Sequence, residues 1–304
     1  MKKAFSLLFI ILSLLVFKNF AFAQPEVDAC ENFYKAIDYK RSIEAGKIAV
    51  EKYPNNSYAH YCLGRSYSEV GEFKLALEHM KRAERLTSNK ESLMRIYDWI
   101  GLIYWRMGYL DDAFLYFSRS LSLARDLGDR SMQAEVLNNI ANIYRDKDEL
   151  DKALGYYEES LRLQTDEKEK ATIYNNMAVI YDQKGDYQKA VEYFQKAIET
   201  SERYGDYHGA SMWKLNLGNT YRKMKDYEKA EKYISEGLEG VKKVGDKYWE
   251  AVGYHVLGWL YGDKGDKKTA KDYLTRAYNL FRSIGAERDA KEALSDIQKL
   301  EKER

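Results

Sequence analysis

A three-point spacing recurs six times along this chain and fixes what it can fold into. A small residue stands at Gly64, Gly101, Ala141, Ala178, Gly218 and Gly258. Three residues after each comes a tyrosine: Tyr67, Tyr104, Tyr144, Tyr181, Tyr221 and Tyr261. Nine residues later comes an alanine: Ala76, Ala113, Ala153, Ala190, Ala230 and Ala270. A period of this length marks a solenoid built from one supersecondary unit. The stretch from Leu137 to Leu163 shows that unit. Leu137, Ile140, Ala141 and Tyr144 share one face of a first helix, and Ala153, Leu154, Tyr157 and Leu161 share one face of a second. Asp146 to Asp151 is a polar break between them. Neither helix can bury its stripe alone, so each hairpin packs on itself and on its neighbours. The small residues let the two helices approach, and the tyrosine fills the gap beside them.

These residues resemble the tetratricopeptide repeat family, with its small–x–x–aromatic first helix and small-residue second helix. The segments LNNIANIY and YNNMAVIY are similar to the longer repeats of kinesin light chains and related bacterial repeat proteins. The resemblance covers Glu26 to Ala286 and implies an all-α fold, a right-handed α-solenoid of about seven helix-turn-helix units. The expected organisation is a signal segment over 1–23 and a repeat array over 24–286. The array has a degenerate first repeat at 26–54 and six clear repeats across 57–286, and a capping helix follows at 287–304. The motif is structural, so the resemblance bears on fold and says little about function.

The intervals between the small residues are 37, 40, 37, 40 and 40. The small–tyrosine–alanine part is constant, so the three additional residues belong to the second helix or its exit. Three residues are close to one helical turn, which predicts added helix. Gly128, Gly205 and Gly245 stand at the exits, each followed by aspartate. Glycine suits the left-handed residue that ends a helix, and aspartate caps the next. The only prolines are Pro25 and Pro54, so everything beyond Pro54 can stay helical without a proline kink. In the first repeat, Ile43, Ala45 and Ala49 are expected on the second helix. In the last segment, Ala290, Leu294 and Ile297 share one side.

Met1 to Ala23 carries Lys2 and Lys3, an apolar run from Ala4 to Phe17, and Ala21-Phe22-Ala23 before Gln24. That is the layout of a secretory signal with a small-x-small cleavage site. The rival reading is an uncleaved anchor, for which the apolar run is short. A lipoprotein attachment at Cys30 fits poorly, because Val-Asp-Ala precedes it. Cleavage would remove Lys2, Lys3 and Lys18 and leave 46 basic against 48 acidic residues, a formal −2. Such a chain exerts no global pull on nucleic acid or anionic membrane. No second apolar stretch is long enough to cross a bilayer.

The chain carries no HExxH, GxSxG, phosphate-loop or dinucleotide motif, so it does not read as an enzyme. The segment Gly262 to Thr269 lacks phosphate-loop spacing, and DKDELD at 146–151 lacks the glycine and terminal glutamate of a calcium loop. His60, His79, His208 and His255 have no metal-ligand spacing and are expected on helix surfaces. Neither a cofactor nor a metal is called for. Cys30 and Cys62 fall on first helices of adjacent repeats. A disulfide and a pair of small buried apolar residues are both open readings.

What remains is surface. In the family that the chain resembles, first helices line a concave face where partners bind. Carried over, the lining comprises Tyr58, Tyr61 and Arg65; Asp98, Trp105 and Arg106; Asn138, Asn142 and Arg145; then Asn175, Asp182, Leu215, Asn219, Arg222, His255 and Trp259. The expected partner-binding set is Trp105, Asn138, Asn142, Arg145, Asn175, Asn219 and Arg222. Asparagine can donate to and accept from a peptide backbone, and arginine grips carboxylates. The alternative is that these groups solvate an unused groove or pair with each other. The lysine-rich carboxylate clamp of chaperone-binding relatives is not reproduced. Two function classes follow: an exported scaffold holding a protein or extended peptide, or a regulatory or sensory subunit acting on a separate output protein.

Overall fold

The computed structural model describes residues 24–302, and the expected signal segment lies outside the described residues. Among the described residues there are fifteen helices and no strand. The chain divides into two compact units, Met1–Gly128 and Asp129–Arg304. The first contains α1 (Pro25–Lys35), α2 (Tyr39–Lys52), α3 (Ser57–Glu69), α4 (Phe73–Arg85), α5 (Lys90–Arg106) and α6 (Leu110–Leu127), paired as three hairpins. The second contains four hairpins: α7 (Arg130–Asp146) with α8 (Leu150–Leu163), α9 (Glu167–Gln183) with α10 (Tyr187–Arg203), α11 (Tyr207–Lys223) with α12 (Tyr227–Val244), and α13 (Lys247–Asp263) with α14 (Lys267–Ser283). A single helix, α15 (Glu287–Lys302), packs on α14. Seven consecutive hairpins are thus the all-α repeat architecture that the spacing implies.

The three conserved-register positions do what their size dictates. Ala76, Ala113, Ala153, Ala190, Ala230 and Ala270 are completely buried. A side chain added at Gly218 would stand 2.5 Å from Ile234 Cγ1 and 3.0 Å from the Ile234 backbone nitrogen. The tyrosines do more than fill a gap. Tyr144 stacks on Tyr156 with ring centroids 5.1 Å apart, Tyr181 on Tyr193 at 5.3 Å, Tyr221 on Tyr233 at 5.5 Å, and Tyr261 on Tyr273 at 5.6 Å. In the first unit Tyr104 stacks on Tyr116, and Tyr67 on His79. Six of the seven hairpins are therefore pinned by an aromatic pair twelve residues apart, worth about 0.5–1.5 kcal/mol beyond its buried area.

The turns follow one template. The carbonyl of each repeat tyrosine accepts the N–H five residues on, as in Tyr144 with Glu149 at 2.8 Å and Tyr181 with Asp186 at 2.9 Å. This closure needs a left-handed residue seven places after the small one. Glycine fills it at Gly71, Gly108, Gly185 and Gly265, whereas Asp148 and Lys225 take it at φ 61° and 64°. Asp148, set aside above as a calcium-loop residue, is thus a turn residue. At the exits Gly128 and Gly245 end their helices left-handed, and Asp129, Asp206 and Asp246 cap the next ones through Met132, Gly209 and Trp249 N–H groups. The additional residues of the longer repeats are helix, as expected: α6 and α12 have 18 residues, against 13 in α4 and 14 in α8.

In the first unit a disulfide joins Cys30 of α1 to Cys62 of α3, both fully buried. Around it Ser42 Oγ lies 2.8 Å from the Cys30 carbonyl and 2.7 Å from Ser66 Oγ, and Ser66 Oγ lies 2.9 Å from the Cys62 carbonyl, so the two hydroxyl protons are shared within this set. The close line of α2 is therefore Ser42, Gly46 and Ala49. Ile43 and Ala45 lie on this helix, as expected, but beside the close line and half-buried. The reason is space: a side chain at position 46 would meet Cys30 Sγ and Leu63 at 3.1 Å, so the seam accepts only small residues.

Candidate functional site

The seven expected partner-binding residues all lie on first helices. Trp105 is on α5 of the first unit and half-buried. Asn138, Asn142 and Arg145 are on α7, Asn175 on α9, and Asn219 and Arg222 on α11, all in the second unit. In that unit the first helices are joined by a relay of amides. Asn216 Nδ2 donates to Asn175 Oδ1 at 3.1 Å, Asn175 Nδ2 to Asn176 Oδ1 at 3.3 Å, and Asn176 Nδ2 to Asn138 Oδ1 at 3.1 Å. Asn175 is only 5% exposed, and both ends of its amide are bonded inside the chain. It holds its neighbours in place and does not face a partner, contrary to expectation. Leu215 and Asp98 leave the lining for the same reason, since both are buried. Asn176 and Asn216 were missed, although both stand two residues before the small position and the register could have shown it.

The relay leaves a pattern of free donors. Asn138 spends its carbonyl on Asn176. Asn142 spends its carbonyl on the Tyr157 hydroxyl, which donates at 2.6 Å. Burial raises the Tyr157 hydroxyl well above its ordinary range, so it remains a donor. Asn219 spends its carbonyl on Arg222 Nε at 2.9 Å. Among the described residues, the NH2 groups of Asn138, Asn142 and Asn219 meet no acceptor, and all three residues are half-buried at the surface. Three amides on two first helices therefore present donors outward and keep their acceptors occupied.

The charges around them are paired. Arg145 holds Asp146 Oδ1 at 3.0 Å through Nη2. Arg222 Nη1 holds Asp263 Oδ2 at 2.5 Å, and its guanidinium lies 5.4 Å from the centre of the Trp259 ring. Asp182 accepts from Thr220 Oγ1 at 2.9 Å and pairs with Lys223. In the first unit, Arg65 pairs with Glu31 and lies over the rings of Tyr34 and Tyr61 at 4.1 and 4.6 Å, while Arg106 donates to the Ser68 carbonyl and pairs with Glu69.

Two of the four histidines depart from the surface placement expected of them, while His208 keeps it with its side chain 41% exposed. His60 and His255 are buried. His60 and His79 stack with their Nδ1 atoms 3.0 Å apart, and burial lowers both below the ordinary histidine value. Sequence distance hid this pair, because the hairpin turn lies between them. His255 Nε2 lies 3.0 Å from Asp296 Oδ2, the oxygen that also accepts from Trp259 Nε1 at 2.8 Å, while Lys299 Nζ holds Asp296 Oδ1 at 2.9 Å. Burial raises the Asp296 carboxyl, but the hydrogen bonds from Lys299, Trp259 and His255 outweigh it and leave the group below its usual value.

Profiles of the tetratricopeptide repeat match residues 92–166 and 210–283, 171–204, and 47–78. The chain belongs to the tetratricopeptide repeat family. No curated protein matches it. Solved structures similar to this tetratricopeptide repeat protein include a Rap protein complexed with Competence and Sporulation Factor, at 14% identity and TM-score 0.62, over 91% of this chain and 97% of that one. The Rap conjugation gene regulator of plasmid pLS20 in complex with the Phr* peptide is similar at 19% identity and TM-score 0.63, over 87% and 75%. The apo quorum sensor NprR from B. thuringiensis is similar at 18% identity and TM-score 0.65, over 90% and 86%. At these identities the likeness is one of fold. No helix among the described residues is long and apolar enough to cross a membrane.

Proposed function

We propose that this tetratricopeptide repeat protein is an exported scaffold that binds an extended peptide or protein segment on the first-helix face of its second unit. The observation that carries the reading is the set of free amide donors at Asn138, Asn142 and Asn219. A peptide in extended conformation offers backbone carbonyls in series, and an amide whose own acceptor is already satisfied can spend its donor on them. Arg145 and Arg222 flank the set and suit carboxylates. Trp105, on the first unit, is a separate aromatic anchor. One of the similar structures is a peptide complex by its description, which supports peptide recognition by this fold. Export rests on the layout of residues 1–23 and agrees with a disulfide at Cys30–Cys62, a bond that persists in oxidising compartments.

The test is site-specific photocrosslinking in the native host. A photoreactive residue in place of Asn138 or Asn219 should capture one partner, identified by mass spectrometry. One in place of Glu158, on the second helix α8, should not. With the partner in hand, Arg145→Ala should weaken binding by at least about 1 kcal/mol, as anchor residues do. Lys152→Ala should change it little. Capture from Glu158 alone would remove the first-helix face from consideration. A regulatory role on a separate output protein is the second reading, favoured by the gene regulator and quorum sensor among the similar folds. It predicts that the captured partner loses or gains activity on binding, where a scaffold merely localises it.

A further inference from the structure

The helix α15 occupies the register of one more first helix. Ala290, Ala293 and Ile297 stand forty residues after Glu250, Gly253 and Leu257, and like them they are buried. Where α13 sets Gly258 against Leu274 of its own second helix, α15 has exposed Gln298 and no second helix among the described residues. Asp296 falls at the position of Asn176 and Asn216, and it reaches the preceding first helix as they do. The chemistry of this rung differs from the others. Elsewhere in the relay one neutral amide meets another through a single bond. Here a carboxylate draws three donors, and two of them, His255 Nε2 and Trp259 Nε1, belong to α13.

Beside this rung is an open cavity of about 550 Å³, lined by Asn219, Arg222, Trp259, Asp263 and Lys299. Asn219 and Trp259 therefore line the same space. The helix α15 buries two alanines and one isoleucine, a small apolar contribution for a helix of 16 residues, and adds the exposed contacts Tyr248–Asp289 and Lys271–Glu301. The geometry points to a carboxylate subsite at the C-terminal end of the binding face, formed by His255 and Trp259, which Asp296 fills as an intramolecular competitor of an acidic peptide. An extended ligand laid along Asn138, Asn142 and Asn219 would bring an aspartate or glutamate to this end and replace the Asp296 oxygen at both donors. The proposal rests on the peptide-binding reading above and adds to it the charge of the ligand and a helix that gates its end.

The experiment uses the full mature chain and two fluorescein-labelled probes of equal length, one alternating serine with glutamate and one alternating serine with glutamine. Binding is read by fluorescence anisotropy. Asp296→Ala should bind the glutamate probe at least tenfold more tightly than the unsubstituted protein, with little change for the glutamine probe. Trp259→Phe added to Asp296→Ala should abolish that gain. Asp296→Asn keeps the size and an acceptor oxygen but not the charge; it should give a smaller gain, and it stands in if the alanine variant loses its C-terminal helix by proteolysis. Equal glutamate affinity with and without Asp296 overturns the subsite, and so does a gain shared equally by both probes, which would mean simple unblocking. In either case Asn138→Ala and Asn219→Ala still report on the peptide face itself: weaker glutamine-probe binding there leaves that reading standing while the carboxylate subsite falls.

Discussion

Removing the Cys30–Cys62 disulfide is the most informative single perturbation of the fold. The bond closes a loop with a sequence separation of 32 residues. In the chain-entropy account, a loop of that length restricts the unfolded chain by about 3.7 kcal/mol at 25 °C. The folded state gives no reason for a smaller effect, since both sulfurs are buried and the Ser42–Ser66 hydrogen bonds surround them. A repeat array couples only neighbours, so the loss should concentrate where the bond acts. The double variant Cys30→Ala, Cys62→Ala should therefore loosen α1 and α2, the hairpin that the bond ties to α3, and leave α9 to α14 unchanged. Hydrogen exchange with mass spectrometry reads this directly. Amides of 25–52 should exchange faster by a factor of up to about 500, the equivalent of 3.7 kcal/mol at 1.4 kcal/mol per tenfold, capped by the opening free energy of that hairpin. Trp99 gives a second readout, because its ring meets Tyr34 of α1 edge-on at 6.3 Å and should become more solvated. Unchanged exchange over 25–52 in the variant, or free thiols in the purified protein, would refute the reasoning.

Two glycines in second-unit helices should respond in opposite directions to alanine. Gly218→Ala gains helix propensity but drives a methyl group into Ile234, backbone nitrogen included, so it should destabilise by about 1–3 kcal/mol in a denaturant titration. Gly155→Ala meets nothing within 4 Å and should stabilise by about 0.5–1 kcal/mol; the same sign at both sites would contradict the packing argument. The His60–His79 pair makes the first unit sensitive to acid. Burial lowers both groups in the folded state, so the unfolded chain takes up protons first, and stability present above about pH 6.5 is lost as pH falls below it. Thermal unfolding from pH 7.5 to 5.0 should show this loss, and His79→Gln should flatten it; an identical slope in the variant would assign the effect elsewhere. Intact mass of protein recovered from a secreting host should correspond to a chain beginning at Gln24, and a full-length species in the membrane pellet would defeat the signal assignment.

The sequence by itself determined the repeat. Positions that must be small for two helices to approach cannot vary freely, so Gly64, Ala153 and their counterparts record the fold in a form that needs no coordinates. The longer second helices and the glycine–aspartate exits were legible for the same reason: they are local, and local backbone geometry selects its own residues. Side-chain partnership was not legible, because it depends on which atoms of neighbouring helices come within 3 Å. The sequence offered Asn138 and Asn175 alike as partner-binding residues, yet packing buries Asn175 and turns it inward, and it leaves the free donors on Asn138, Asn142 and Asn219. It placed His60 and His79 nineteen residues apart with a turn between, and only the folded hairpin stacks them. It left the cysteines open between a bond and a buried pair, and the seam around Gly46 brought them together. Tertiary structure decided these points because a hydrogen bond or a disulfide is fixed to a few tenths of an ångström, whereas a helical period fixes only the face on which a side chain stands.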